Sequence, residues 1–182
     1  MFVLTAAGCN MRVDWDPCAA TGEFPGNIIM DDGEFIRESD GAVYGAIGEG
    51  VIANCTDVAG NIVLMGEVEN LRDFDGIESV QNIVRGPRMN LPDFVTENAD
   101  GSTRNCGLMD GFHSLRNLHG SVISAAGTEA RESCYHLDGW ENLENVGGDF
   151  VCSSSTGVPI GVGGSLIEVG GHLLCFDDQL AN

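Results

Sequence analysis

The chain has 182 residues, a hydrophobic content of 43% and a formal net charge of −20. That length suits one domain with a real core, and that apolar share argues against disorder. The charge argues against nucleic acid and anionic membrane surfaces as partners, because phosphate would repel the chain.

Taken from the start, "MFVLTAAGC" places small residues before Cys9, as the end of a lipoprotein leader does. It has no basic leading segment and is too short to be an export signal by itself. A lipid anchor at Cys9 and a chance pattern are both open. Residues 1–23 read as an N-terminal segment, with "VDWDPCAATGEF" capping a first coil through Trp15 and Phe24. No apolar run is long enough to span a bilayer, so no transmembrane segment is expected.

Residues 24–176 read as one repeating unit. "FPGNIIM", from Phe24 to Met30, is a weak first copy, and "DVAGNIVLM" carries Val58, Gly60, Ile62 and Leu64. Three stretches then align without gaps, from Asp75 to Met89, from Asp110 to Ser124 and from Asp138 to Cys152. Their matched letters are Asp75, Asp110 and Asp138, then Ile77, Phe112 and Trp140, then Asn82, Asn117 and Asn145, then Ile83, Leu118 and Val146. "LIEVGGHLLC" places Val169, Gly171, Leu173 and Cys175 on Val146, Gly148, Phe150 and Cys152. Residues 177–182 form a short C-terminal tail. The period wanders between about 23 and 35 residues, the range of solenoid repeats.

Each unit reads as turn, apolar anchor, turn and short strand. Asp-Gly supplies a tight turn, and the strand points alternate residues inward. One unit cannot close a core, so units must stack with their strands in parallel. The aligned asparagines then form a ladder at the coil corner. The fold expected is mainly β, a right-handed parallel β-helix with coils of uneven length and few or no long helices.

The segments "NLRDFDGIESVQNI", "CGLMDGFHSLRNLHGSVI" and "CYHLDGWENLENVGGDFV" resemble the receptor L-domain, an irregular relative of the leucine-rich repeats. The resemblance spans roughly residues 55–176. It implies an extracellular module that recognises ligands or partner proteins and has no catalysis of its own. The acidic insertion "TENADGSTRN" and the N-terminal region depart from that pattern.

Seven cysteines without a Cys-x-x-Cys pair favour an extracellular or cell-surface location over a metal site. Cys106 and Cys134 precede Asp110 and Asp138 by the same interval, which predicts a disulfide between them. Cys152 and Cys175 share the third inward strand position, and pairing and two buried thiols are both open there. For Cys9, Cys18 and Cys55, either Cys9–Cys18 or Cys18–Cys55 is open. "NCT" makes Asn54 a candidate glycosylation acceptor.

Catalysis finds little footing. His113, His119, His136 and His172 fall at different offsets, with His172 beside the equivalent of Asp149. The aspartates Asp75, Asp110 and Asp138 imitate the carboxylates of β-helical polysaccharide enzymes, but they recur as turn residues do. No nucleophile elbow, metalloprotease helix or phosphate loop is present. A carbohydrate-active enzyme is therefore the alternative reading. A calcium-stabilised adhesin is another, although no EF-hand loop is present. No cofactor is expected otherwise.

The outward strand face is apolar where solvent-facing positions are usually polar. Val63, Arg88, Ile123, Val151 and Leu174 make one row, and the next includes Met65 and Phe176. An apolar stripe is either covered by the chain or marks an association site. The expected function is a non-enzymatic recognition or assembly module, such as a subunit of a surface layer or filament. It would bind a protein partner or itself through this face and the solenoid ends.

Overall fold

The computed structural model describes the backbone of residues 17–86, 93–97, 103–124, 135–154 and 165–177, and the side chains of 17–86, 110–122, 139–150 and 165–172. In chain order the strands are β1 (Glu23–Phe24), β2 (Ile28–Asp31), β3 (Glu34–Ile36), β4 (Val43–Ala46), β5 (Asp57–Met65), β6 (Ser79–Arg85), β7 (Asp93–Glu97) and β8 (Thr103–Asp110). They continue as β9 (Asn117–Leu118), β10 (Val122–Ser124), β11 (Tyr135–Asp138), β12 (Asn145–Val146), β13 (Phe150–Ser154), β14 (Glu168–Val169) and β15 (Leu173–Asp177). Among the described residues the only helical element is a 3-10 turn at Arg72–Phe74. The described residues are therefore mainly β without long helices, as the glycine-rich, strand-length apolar runs predict.

Burial alternates along the longer strands. β2 buries Ile28 and Met30, and β5 buries Val58, Ile62 and Leu64, leaving the residues between them half-buried or exposed on the other face. β-branched and long apolar side chains suit such half-buried ribbons.

Ten strands join one sheet in the order β14-β12-β9-β6-β5-β2-β3-β4, with β1 on β5 and β10 on β6. β11-β8-β7 and β13-β15 form two smaller sheets. Pairing from β14 through to β2 is parallel, as it is for β8 with β11 and β13 with β15. β2-β3-β4 and β7-β8 are antiparallel, so the main sheet is mixed rather than parallel throughout. The reversal after β2 has a local cause. Asp32 and Gly33 are the two residues between β2 and β3, at φ 51° and 74°. Two positive φ values in a two-residue loop make the hairpin turn that matches strand twist.

Parallel register makes columns. Phe24, Val58, Val80, Leu118, Val146 and Val169 are successive partners across the sheet. Beside them run Ile28, Ile62, Ile83 and Val122. The weak first copy at Phe24 to Met30 is thus a true member. The matches of Asp110 with Asp138, Asn117 with Asn145, and Cys152 with Cys175 also hold. The gapless alignment of Asp75 to Met89 does not. Val80, not Ile83, stands opposite Leu118, and Ile83 stands opposite Val122. Phe74, not Ile77, lies against Phe112. The chain entering β6 forms a 3-10 turn that ends on this anchor, Phe74, and its letters shift.

An aromatic row threads the interior. Ring centroids of Phe35 and Phe74 are 5.9 Å apart, Phe74 and Phe112 5.2 Å, Phe112 and Trp140 5.4 Å, and Trp140 and Phe150 6.4 Å. All five side chains are fully buried. The row binds successive passes by dispersion and by edge and stacked ring contacts. Phe112 keeps a positive φ of 67°, which a bulky residue tolerates only where packing holds it.

Candidate interaction surface

The corner before each second strand position repeats a glycine and a polar residue. They are Gly26-Asn27, Gly60-Asn61, Gly120-Ser121, Gly148-Asp149 and Gly171-His172, with Gln81-Asn82 the variant. From Asn27 to Asp149, each polar side chain meets the next member of the series, and His172 meets Asp149. Asn27 Oδ1 accepts the Asn61 backbone N–H at 2.8 Å. Asn82 Nδ2 donates to Asn61 Oδ1 at 2.8 Å, and Asn82 Oδ1 accepts the Ser121 N–H at 2.8 Å. Ser121 Oγ accepts the Asp149 N–H, and Asp149 Oδ1 the His172 N–H, both at 2.8 Å. Partners are separated by 21 to 39 residues, so one ladder joins strands whose connections differ widely in length. A Cβ on Gly60, Gly120, Gly148 or Gly171 would strike the polar side chain below it. The asparagines expected to form a single ladder thus belong to two. Asn82 is in this one, while Asn145 Nδ2 donates to Asn117 Oδ1 at 2.9 Å in the other. The repeated Gly-polar pair was the sequence signal for it.

The outward row is apolar along its described length. Val63 pairs with Ile29 on one side and Val84 on the other, and Val84 pairs with Ile123. Ile29, Val63 and Val84 are half-buried. Val84 therefore holds the place between Val63 and Ile123 to which the alignment assigned Arg88. Arg88 lies outside the described residues. Val151 pairs with Leu174, and Ser153 with Phe176, although their side chains are not among those described. Met65 is half-buried and pairs with Asp31.

Charged contacts sit on the seams between passes. His113 Nδ1 lies 2.8 Å from Asp75 Oδ1, His172 Nδ1 3.0 Å from Asp149 Oδ1, and Arg72 Nη2 2.9 Å from Asp110 Oδ2. The Asp75 hydrogen bond raises the His113 pKa, against a burial effect that lowers it, with Asp75, Glu141 and Asp110 adding attraction. Asp149 is held below the usual carboxylate range by the His172 backbone N–H and then its ring. Ser79 Oγ is 3.0 Å from His119 Nε2, but the carboxylate contacts belong to other imidazoles, so among the described residues serine, histidine and acid do not converge. Among the described residues no group of three or more His, Cys, Asp or Glu gathers to hold a metal.

Cys18 and Cys55 form a disulfide, one of the two pairings left open for that region. Cys9 and Cys134 lie outside the described residues, so the Cys106–Cys134 bridge does too. Asn54 is exposed in a turn beside Cys55, and the Thr56 hydroxyl contacts Asp57 and the Gly22 carbonyl. Among the described residues no helix is long and apolar enough to cross a membrane. Comparisons with protein-family models, with curated proteins and with solved structures find no match for this chain.

Proposed function

We propose that this chain is a non-enzymatic recognition and assembly module, displayed outside the cell or on its surface. Its architecture is read as a right-handed parallel β-helix of the receptor L-domain kind. The parallel columns and the corner ladder support that reading. The observation that carries the function is the outward row Ile29, Val63, Val84 and Ile123. Four adjacent strands place a β-branched residue at the same level, where a sheet face bathed in water is usually polar. A rigid, apolar, ribbed surface of this kind suits a protein partner or another copy of the chain. The Cys18–Cys55 disulfide supports an oxidising location.

The test is the double variant Val63→Asp with Val84→Asp. The native protein is expected to bind an environment-sensitive apolar dye in its folded state, and the variant to lose most of that signal with its β-sheet circular dichroism intact. A native protein that takes up no dye below its melting temperature would remove the proposed surface.

A further inference from the structure

The outward apolar row extends beyond the four strands from β2 to β10. Ile29 pairs with Ile36 on β3, and Ile36 pairs with Val43 on β4. The row therefore reads Val43, Ile36, Ile29, Val63, Val84 and Ile123 across neighbouring strands. Every member is β-branched. At a strand spacing of about 4.8 Å the row spans about 24 Å. Val43 is 52% exposed, and Ile36, Ile29, Val63 and Val84 are half-buried.

The margins of the row differ in charge along its length. On β3, Glu34 is exposed on the same face as Ile36, because Phe35 between them points into the core. Glu38 stands on the other side of Ile36, where its Oε1 accepts from Asn27 Nδ2 at 2.9 Å. Asn27 precedes Ile29 by the same interval as Asn61 precedes Val63 and Asn82 precedes Val84. Ile36 thus lies between two carboxylates, whereas Val63 and Val84 have neutral amides on that margin. Residues 31–49 hold six carboxylates, on Asp31, Asp32, Glu34, Glu38, Asp40 and Glu49, against the guanidinium of Arg37 alone. That guanidinium is already engaged, with Nη1 3.1 Å from Asp40 Oδ2.

We propose that this row is the docking face for a cationic amphipathic segment of a partner protein. Aliphatic side chains of that segment lie on the row, and its lysines or arginines lie beside Glu34 and Glu38. The inference rests on the outward-face reading above and names the class of partner. A purely apolar partner would strip water from the two carboxylates and return nothing, which is costly. A cation at each turns the same burial into a charge-assisted hydrogen bond. A second copy of the chain would instead bring a net charge of −20 against this acidic margin. An anionic lipid surface is repelled in the same way.

Fluorescence anisotropy of labelled synthetic peptides against the full chain tests this. The probe is a helical peptide of about 16 residues, long enough to span the row at about 1.5 Å per residue, with leucine on one face and lysine on the other. One control replaces every lysine with glutamate, and a second replaces every leucine with serine. At about 0.15 M sodium chloride the native chain is expected to bind the leucine–lysine peptide saturably and neither control. Val63→Ser with Val84→Ser is expected to weaken binding at least about tenfold, with β-sheet circular dichroism intact. Glu34→Gln with Glu38→Gln is expected to weaken it about threefold. Glu141→Gln with Glu168→Gln removes the same charge away from the row and should leave binding unchanged. Equal binding of the serine–lysine peptide would show attraction by overall charge alone and overturn the proposal. So would binding indifferent to the valine pair or to the Glu34 and Glu38 pair. A native chain that takes up the apolar dye but does not bind the leucine–lysine peptide would overturn the cationic partner and leave the outward-face reading intact. A native chain that takes up no dye would remove both.

Discussion

Single glycines carry much of the stacking. Gly148 has no side chain because Ser121 Oγ and the Gly120 backbone occupy the space a Cβ would take. Gly26 holds the same place before β2 and, among the described residues, meets nothing within 4 Å. Gly148→Ala is therefore expected to cost about 1–3 kcal/mol, and Gly26→Ala to stay within about 0.5 kcal/mol. Urea unfolding of both variants measures the contrast. Equal costs would mean that backbone conformation, not close approach, selects glycine here. The alignment of Gly60, Gly148 and Gly171 was legible in the sequence. The bond each following polar residue sends to the next pass was not, because a side-chain-to-backbone contact leaves a polar letter and no fixed identity. Arg85 shows the opposite limit. It holds the inward level that Met30 and Leu64 hold on earlier passes, and it is buried.

Elements made of two passes respond to pH through their seams. His113 belongs to the pass after Asp75, and their contact joins the 3-10 turn region to the corner before β9. Its folded pKa is raised, chiefly by the Asp75 hydrogen bond. The pair therefore adds stability that is fully present below the unfolded histidine value, near about 6.5, and is lost as pH rises through the folded value. The group is partly exposed, so the contribution is small. Asp75→Asn should lower the melting temperature at about pH 5.5 more than at about pH 8, and should bring the His113 titration down in proton NMR. An unchanged His113 titration would remove the pair from the account. Asp-Gly shows why elements are harder to read than residues. At Asp110 and Asp138 the dipeptide ends strands that pair in parallel, yet at Asp32-Gly33 it reverses the chain into a hairpin. The flanking "IIM" and "EFI" strands mark the difference, since a short apolar run on each side of a two-residue turn favours a hairpin.

At the scale of the molecule, closure of the N-terminal end depends on a covalent tie. Cys18 and Cys55 are joined across 37 residues, and both are buried. The loop holds β1, β2, β3 and β4, so the tie holds the hairpin layer against β5. Replacing both cysteines with alanine is expected to cost about 2–4 kcal/mol. Thermal unfolding with and without reductant checks it, since the native protein should shift by more than the variant. A native protein insensitive to reductant would show that packing of Phe35 against Phe74 and Tyr44 closes the end without the bridge. The sequence alone determined that the chain is mainly β, that letters recur with the pass, and that Phe24 to Met30, Asp138 to Cys152 and Leu166 to Cys175 belong to one series. Periodicity suffices for this, because burial of one strand face imposes alternation whatever lies beyond it. Only the tertiary structure decided the three-residue slip before β6 and the antiparallel layer over β2. Those depend on which neighbour each strand finds, and a strand's own letters are compatible with more than one.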